Sequence, residues 1–129
     1  MPEMIRGHNY MRVDPTTLRR INRSQYKTMS VEAAERGIRK LIGVSLTRYQ
    51  FSALVSFLIS VGAKEFRKSE VYKLTVKGQF LLAAERFSDY RIGTDGKEDK
   101  ELMRRREYER RLYTHPVIVT NTGKTGGVE

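Results

Sequence analysis

Clustered bases, rather than acids, thiols or imidazoles, are what this sequence offers for chemistry. Lys64, Arg67, Lys68 and Lys73 fall within one short stretch, and Arg19, Arg20 and Arg23 form a second group. Ammonium and guanidinium groups set close together neutralise phosphates, and a guanidinium does so through a fork of donors. A third group, Arg48, Ser52 and Ser56, recurs every four residues, so on a helix it lies along one face. There an arginine can reach base edges and a serine can contact phosphate.

Other chemistry has little to work with. There is no Cys, which removes thiolate metal sites, disulfides and thiol nucleophiles. His8 and His115 have no second histidine or carboxylate at ligand spacing, so no metal is expected and no base stands ready to activate a hydroxyl. Gly123-Lys124-Thr125 matches the end of a phosphate-binding loop, but the glycine needed five positions earlier is Ile118 and no helix follows. Glu98-Asp99-Lys100 has a nuclease-like acid-to-lysine step, yet acids at a helix start are expected from the helix dipole. These residues predict a protein that is not an enzyme and needs no cofactor.

The chain has 129 residues, with 25 Lys and Arg against 15 Asp and Glu and a formal charge of +10. That length suits one core with flanking arms. No apolar stretch approaches the roughly 20 residues of a membrane span, and residues 1–10 lack the apolar run of a secretory signal, so the expected location is cytoplasmic. An excess of bases in such a protein favours a polyanionic partner.

Asp14-Pro15 pairs an N-cap with a first-turn proline and predicts a helix to about Lys27. Ser30 caps a second, with Val31, Ala34, Ile38, Leu41 and Ile42 at helical spacing and Gly43 as its stop. Thr47 or Ser45 opens a third, from Phe51 through Val61, ended by Gly62 and expected to be the most buried. Beyond Gly62, Phe66, Val71 and Tyr72 flank the polar pair Ser69-Glu70 and predict a short hairpin, 63–68 with 71–74. Thr75 is expected to cap a fourth helix from Val76 to Phe87, and Ile92 to Gly96 a turn. Lys97 to Tyr113 reads as a charged helix with Glu101–Arg105 and Glu107–Arg111 pairs, and could supply a contact with a partner. A short strand is placed at Val117 to Thr120.

Three helices, a basic hairpin and a helix, with the third helix running straight into the hairpin, resemble the winged helix-turn-helix superfamily. Leu74-Thr75-Val76-Lys77-Gly78-Gln79-Phe80-Leu81-Leu82 is similar to that superfamily's wing exit, and Val61-Gly62-Ala63-Lys64-Glu65-Phe66 to its recognition-helix exit. The resemblance implies a mostly α fold with a small antiparallel β-hairpin, plus a charged C-terminal helix. The divisions are then a flexible arm at 1–13, a winged-helix domain at 14–91, the charged helix at 97–113 and a flexible tail at 114–129. It implies double-stranded DNA as partner and a transcription regulator as function, possible as a homodimer, with no membrane contact. Arg48, Ser52, Ser56, Lys64, Arg67, Lys68, Lys73, Arg19, Arg20 and Arg23 would then touch DNA. The 47–61 helix presents serines rather than base-reading side chains, which leaves two alternatives open. The Ser52, Ser56 and Ser60 stripe can enter a groove or pack against another helix, and the protein can instead be an adaptor docking on a protein or RNA-containing machine.

Overall fold

A computed structural model describes residues 11–116. Seven α-helices follow one another: α1 (Pro15–Arg23), α2 (Val31–Leu41), α3 (Arg48–Val61), α4 (Ala63–Lys68), α5 (Glu70–Val76), α6 (Phe80–Glu85) and α7 (Lys100–Tyr113), with a 3-10 turn at Phe87–Tyr90 before α7. The first three start where their caps direct. Asp14 accepts from the Thr17 amide at 3.0 Å, Ser30 from the Ala33 amide at 3.0 Å, and Thr47 and Gln50 form a reciprocal capping box.

The axis of the molecule is α3. Its nine residues from Phe51 to Ile59 are all buried, because α7, α2, α1 and α4 pack around it on every side. Phe57 sits at the centre, with the rings of Phe66 at 6.0 Å and of Phe87 and Tyr90 each at 5.2 Å. Phe87 continues the cluster to Tyr113 at 5.2 Å. Edge-on and tilted arrangements such as these suit the ring quadrupoles.

The expected hairpin is not there. Residues 63–68 and 70–76 form α4 and α5, joined at Ser69, whose hydroxyl donates to the Phe66 carbonyl at 2.6 Å and accepts from the Tyr72 amide at 3.1 Å. One side chain thus closes the first helix and caps the second, and Phe66 and Val71 both turn inward. Gly62, with φ of 90°, supplies the sharp turn between α3 and α4 that a side chain would strain. No strand occurs among the described residues; a single antiparallel bridge, Ile92 to Glu98, closes the loop before α7.

The expected fourth helix is shorter and starts later. Thr75 does not cap it but lies buried inside α5, hydrogen-bonded to the Tyr113 phenol at 2.7 Å. Gly78, at φ of 75°, ends α5, and α6 begins only at Phe80.

The helix α7 departs furthest from expectation. It starts at Lys100 rather than Lys97, and buries Leu102, Arg105, Arg106, Glu109 and Tyr113 along the length of α3. Arg105 turns away from Glu101 and pairs with Glu109, while Glu101 accepts from Ser24 at 2.7 Å and Gln25 at 3.1 Å. The Glu107–Arg111 pair forms as expected, at 2.9 Å.

The arm at residues 1–10, His8, the strand at 117–120, the Gly123–Thr125 segment and the tail beyond Pro116 lie outside the described residues.

Candidate functional site

Two polar systems converge on α7. The first is buried. Glu109 is fully enclosed, accepts from the Ser56 hydroxyl at 2.5 Å and from Arg106 Nη2 at 3.0 Å, and lies 3.4 Å from Arg105 Nε. Arg106 Nε approaches its other oxygen at 2.8 Å at an angle that makes the contact ionic rather than a hydrogen bond. Arg105 also donates to the Ser24 hydroxyl at 2.6 Å and to the carbonyls of Tyr26 at 3.1 Å and Ser56 at 2.9 Å. Burial pulls the Arg105 pKa below its ordinary value, against the opposing pull of the Glu109 charge. The cluster is a clamp that ties α7 to α3 and to the 24–26 segment.

Ser52 and Ser56 are both spent inside the fold. Ser52 accepts from the Asp14 amide at 3.0 Å, and Ser56 serves the clamp, so the serine stripe packs against the start of α1 and against α7. Thr17 links these elements as well. Its hydroxyl proton goes to Asp14 at 2.6 Å, so the Tyr108 phenol, also at 2.6 Å, donates to Thr17.

The second system is a pair of surface grooves. One, of about 270 Å3, is lined by Tyr26, Ser60, Glu65, Tyr90, Thr94 and Arg106, among others. Tyr26 donates to Asp99 at 2.6 Å; that hydrogen bond, with some burial, pushes its phenol up to about 12, so it stays protonated at neutral pH. Burial raises the Tyr90 pKa, helped by the charges of Glu65, Asp89 and Glu70. Glu65 itself is exposed and forms no ion pair with a described residue. Phenols, hydroxyls and a free carboxylate around a shallow trough are groups that hold sugars, whose hydroxyls need donors and acceptors and whose ring faces need flat apolar partners. The other groove, of about 600 Å3, runs between α1 and α7 and is lined by Arg19, Arg20, Arg23, Arg104 and Arg105 with Tyr108.

The basic residues singled out from sequence therefore do not share one face. Lys64, Arg67 and Lys68 are exposed on α4, and Lys73 on α5 lies 3.8 Å from Glu70. Arg48 is exposed at the first turn of α3, while Arg19, Arg20 and Arg23 line the α1–α7 groove.

The family model for phage lysozymes matches residues 7–109. The chain belongs to the phage lysozyme family. Among relatives, the endolysin of Bacillus phage PZA is 37% identical over 83 residues, which span 64% of this lysozyme-family chain and 32% of that protein. The chain spans about a third of the length of the curated relatives it matches. The muramidase domain of SpmX from Asticaccaulis excentricus is 28% identical with a TM-score of 0.62, over 67% of this chain and 60% of that one. P22 lysozyme superposes with a TM-score of 0.68 at 18% identity, over 80% of this chain and 98% of that one, a likeness of fold.

Membership in the phage lysozyme family overturns the winged-helix resemblance. With it go the expectations drawn from that resemblance: a DNA-binding regulator, a double-stranded DNA partner and a protein without enzymatic function. The physical reason is that the stretch read as a basic wing is two capped helices in a lysozyme fold. No helix among the described residues is long and apolar enough to cross a membrane.

The sequence reading missed Tyr26, Glu65, Tyr90 and Thr94, and it named Ser60 only as part of the serine stripe. They come from α3, α4, the α1–α2 connection and the stretch between α6 and α7, and no local spacing joins them.

Proposed function

We propose that this chain works in hydrolysis of the peptidoglycan glycan strand, in the cell wall rather than the cytoplasm, and that the Tyr26–Tyr90 groove holds part of that strand. The family match over residues 7–109 carries this reading. The groove supports it with the polar and aromatic groups that a sugar polymer needs.

Cleaving a glycosidic bond usually takes two carboxyl groups facing each other across the bond, one as acid and one as base or nucleophile. Among the described residues each groove contributes one, Glu65 or Glu101, and Glu101 is engaged by Ser24 and Gln25. Glu35 and Glu109 are buried in structural ion pairs, and Asp14 and Asp99 cap helices. In this proposal the Tyr26–Tyr90 groove holds the strand, and the acid and base roles are assigned to no described residue.

Tyr90→Phe tests the groove without disturbing the ring packing on Phe57. At sub-saturating sacculi, solubilisation by the whole protein should slow by about 2- to 10-fold, the worth of one hydrogen bond of about 0.5–1.5 kcal/mol. An unchanged rate in the folded variant would remove this groove from the reading, and sacculi left intact by the parent protein would remove the hydrolase.

A further inference from the structure

We propose that the α1–α7 groove is a second ligand site, one that holds a single flexible strand of phosphodiester-linked polymer attached to the wall. Five guanidiniums face this groove against one carboxylate, Glu101, which already accepts from Ser24 and Gln25. Arg19, Arg20, Arg23 and Arg104 form no ion pair with any described residue. Elsewhere on this surface Arg86, Arg91, Arg110 and Arg111 are each paired with an acid, whereas the exposed Arg36, Arg48 and Arg67 pair with no described residue and do not line this trough. What sets the trough apart is convergence: four guanidiniums without an acid partner among the described residues line one groove.

The positions are also held in place. The Arg20 guanidinium lies over the Tyr108 ring, 4.1 Å from its centre, and Tyr108 is fixed by its bond to Thr17. Arg105 is the floor of the trough, locked by Ser24, Tyr26 and Ser56. Arg19 and Arg23 are four residues apart on α1 and so share a face. A guanidinium that is ordered and unpaired presents a fork matched to phosphate oxygens.

The groove's shape selects the ligand. Guanidiniums on facing helices surround a thin strand that can lie down between them, whereas a rigid duplex rests on a convex or flat basic surface. A membrane is disfavoured because none of the exposed large apolar side chains, Leu81, Leu82, Ile92 and Met103, lines the trough. Choosing a wall polymer rests on the peptidoglycan reading above, while the groove itself rests on its own geometry.

The test uses the whole protein and its Arg19→Gln/Arg23→Gln/Arg104→Gln variant, three exposed positions whose change leaves the clamp untouched. Co-sedimentation is measured on sacculi that retain their phosphodiester polymer and on the same sacculi stripped with cold hydrofluoric acid, across a salt series. Retention of the parent should fall at least about tenfold on stripping, and the variant should lose that difference. Its log–log salt slope should drop by about two, at roughly 0.7 per phosphate contact on a single strand. Equal retention on intact and stripped sacculi would overturn the proposal, as would equal retention of parent and variant. Equally tight binding to duplex DNA or to phosphatidylglycerol vesicles of matched charge would overturn it too, by showing attraction without selection. Release of glycan fragments from the stripped sacculi is followed in the same tubes. Its absence would sink the hydrolase reading alone, because the retention comparison does not depend on cleavage.

Discussion

Glu109→Ala should cost about 3–5 kcal/mol of stability, the largest loss expected from any single polar substitution in this chain. The carboxylate is fully enclosed and, among the described residues, is the only acid that forms an ion pair with Arg105 and Arg106, both of which are themselves buried. Removing it leaves two buried guanidiniums without an ion-pair partner among the described residues, and most of their desolvation cost is then uncompensated. Against a total stability of about 5–15 kcal/mol for a protein of this kind, that is about a fifth of the whole or more. A thermal midpoint lowered by about 10–20 °C would express it. Ser56→Ala removes one charge-assisted hydrogen bond from the same carboxylate and should cost about half as much. Urea denaturation of the two variants orders them. A midpoint for Glu109→Ala equivalent to less than about 1 kcal/mol would mean that the clamp is solvated and does not tie α7 to α3.

Phe57→Ala should follow closely, at about 3–5 kcal/mol. Its ring is completely buried, touches three other rings and has the Arg106 guanidinium 5.0 Å above its face. Truncation opens a cavity between elements that cannot all close on it, since α3, α4 and the 3-10 turn meet there. The effect reaches the groove as well, because Tyr90 rests edge-on against Phe57 and Arg106 donates to the Tyr90 carbonyl at 3.4 Å. Chemical denaturation measures the stability. A cost below about 1.5 kcal/mol would place the true centre of the core elsewhere.

The parts of the fold that could be read from sequence are those set by local chemistry. Asp14-Pro15, Ser30 and Thr47 with Gln50 each carry a cap whose hydrogen bonds are made within three residues, so no knowledge of the tertiary structure is needed. Residues 63–76 went astray for the opposite reason. Phe66, Val71 and Tyr72 favour extended backbone by type, but burial of Phe66 and Val71 against the core decides for helix. Ser69 followed by Glu70 was the available sign, an N-cap with an acid in the first turn.

On α7 the number of charges concealed the core. Glu109 stands four residues after Arg105 and three after Arg106, so one acid can serve two bases on the same helix face. That spacing, together with a serine stripe on α3 in need of polar partners, is compatible with burial, whereas charge alone suggests solvent. The site was harder still. Tyr26, Glu65 and Tyr90 meet only because α3 and α7 bring distant connections together, and the arginines of α1 acquire their trough only when α7 docks.

The reaction itself is tested most directly by the bond that is cut. Purified sacculi are digested with the whole protein, and the soluble products are reduced with borohydride and weighed by mass spectrometry, with free amino groups titrated in parallel. Hydrolysis of the glycan strand should release fragments bearing new reducing sugar ends while the number of free amino groups stays constant. Amino groups that rise without new reducing ends, or sacculi from which nothing is released, would contradict a lysozyme-type action on the glycan.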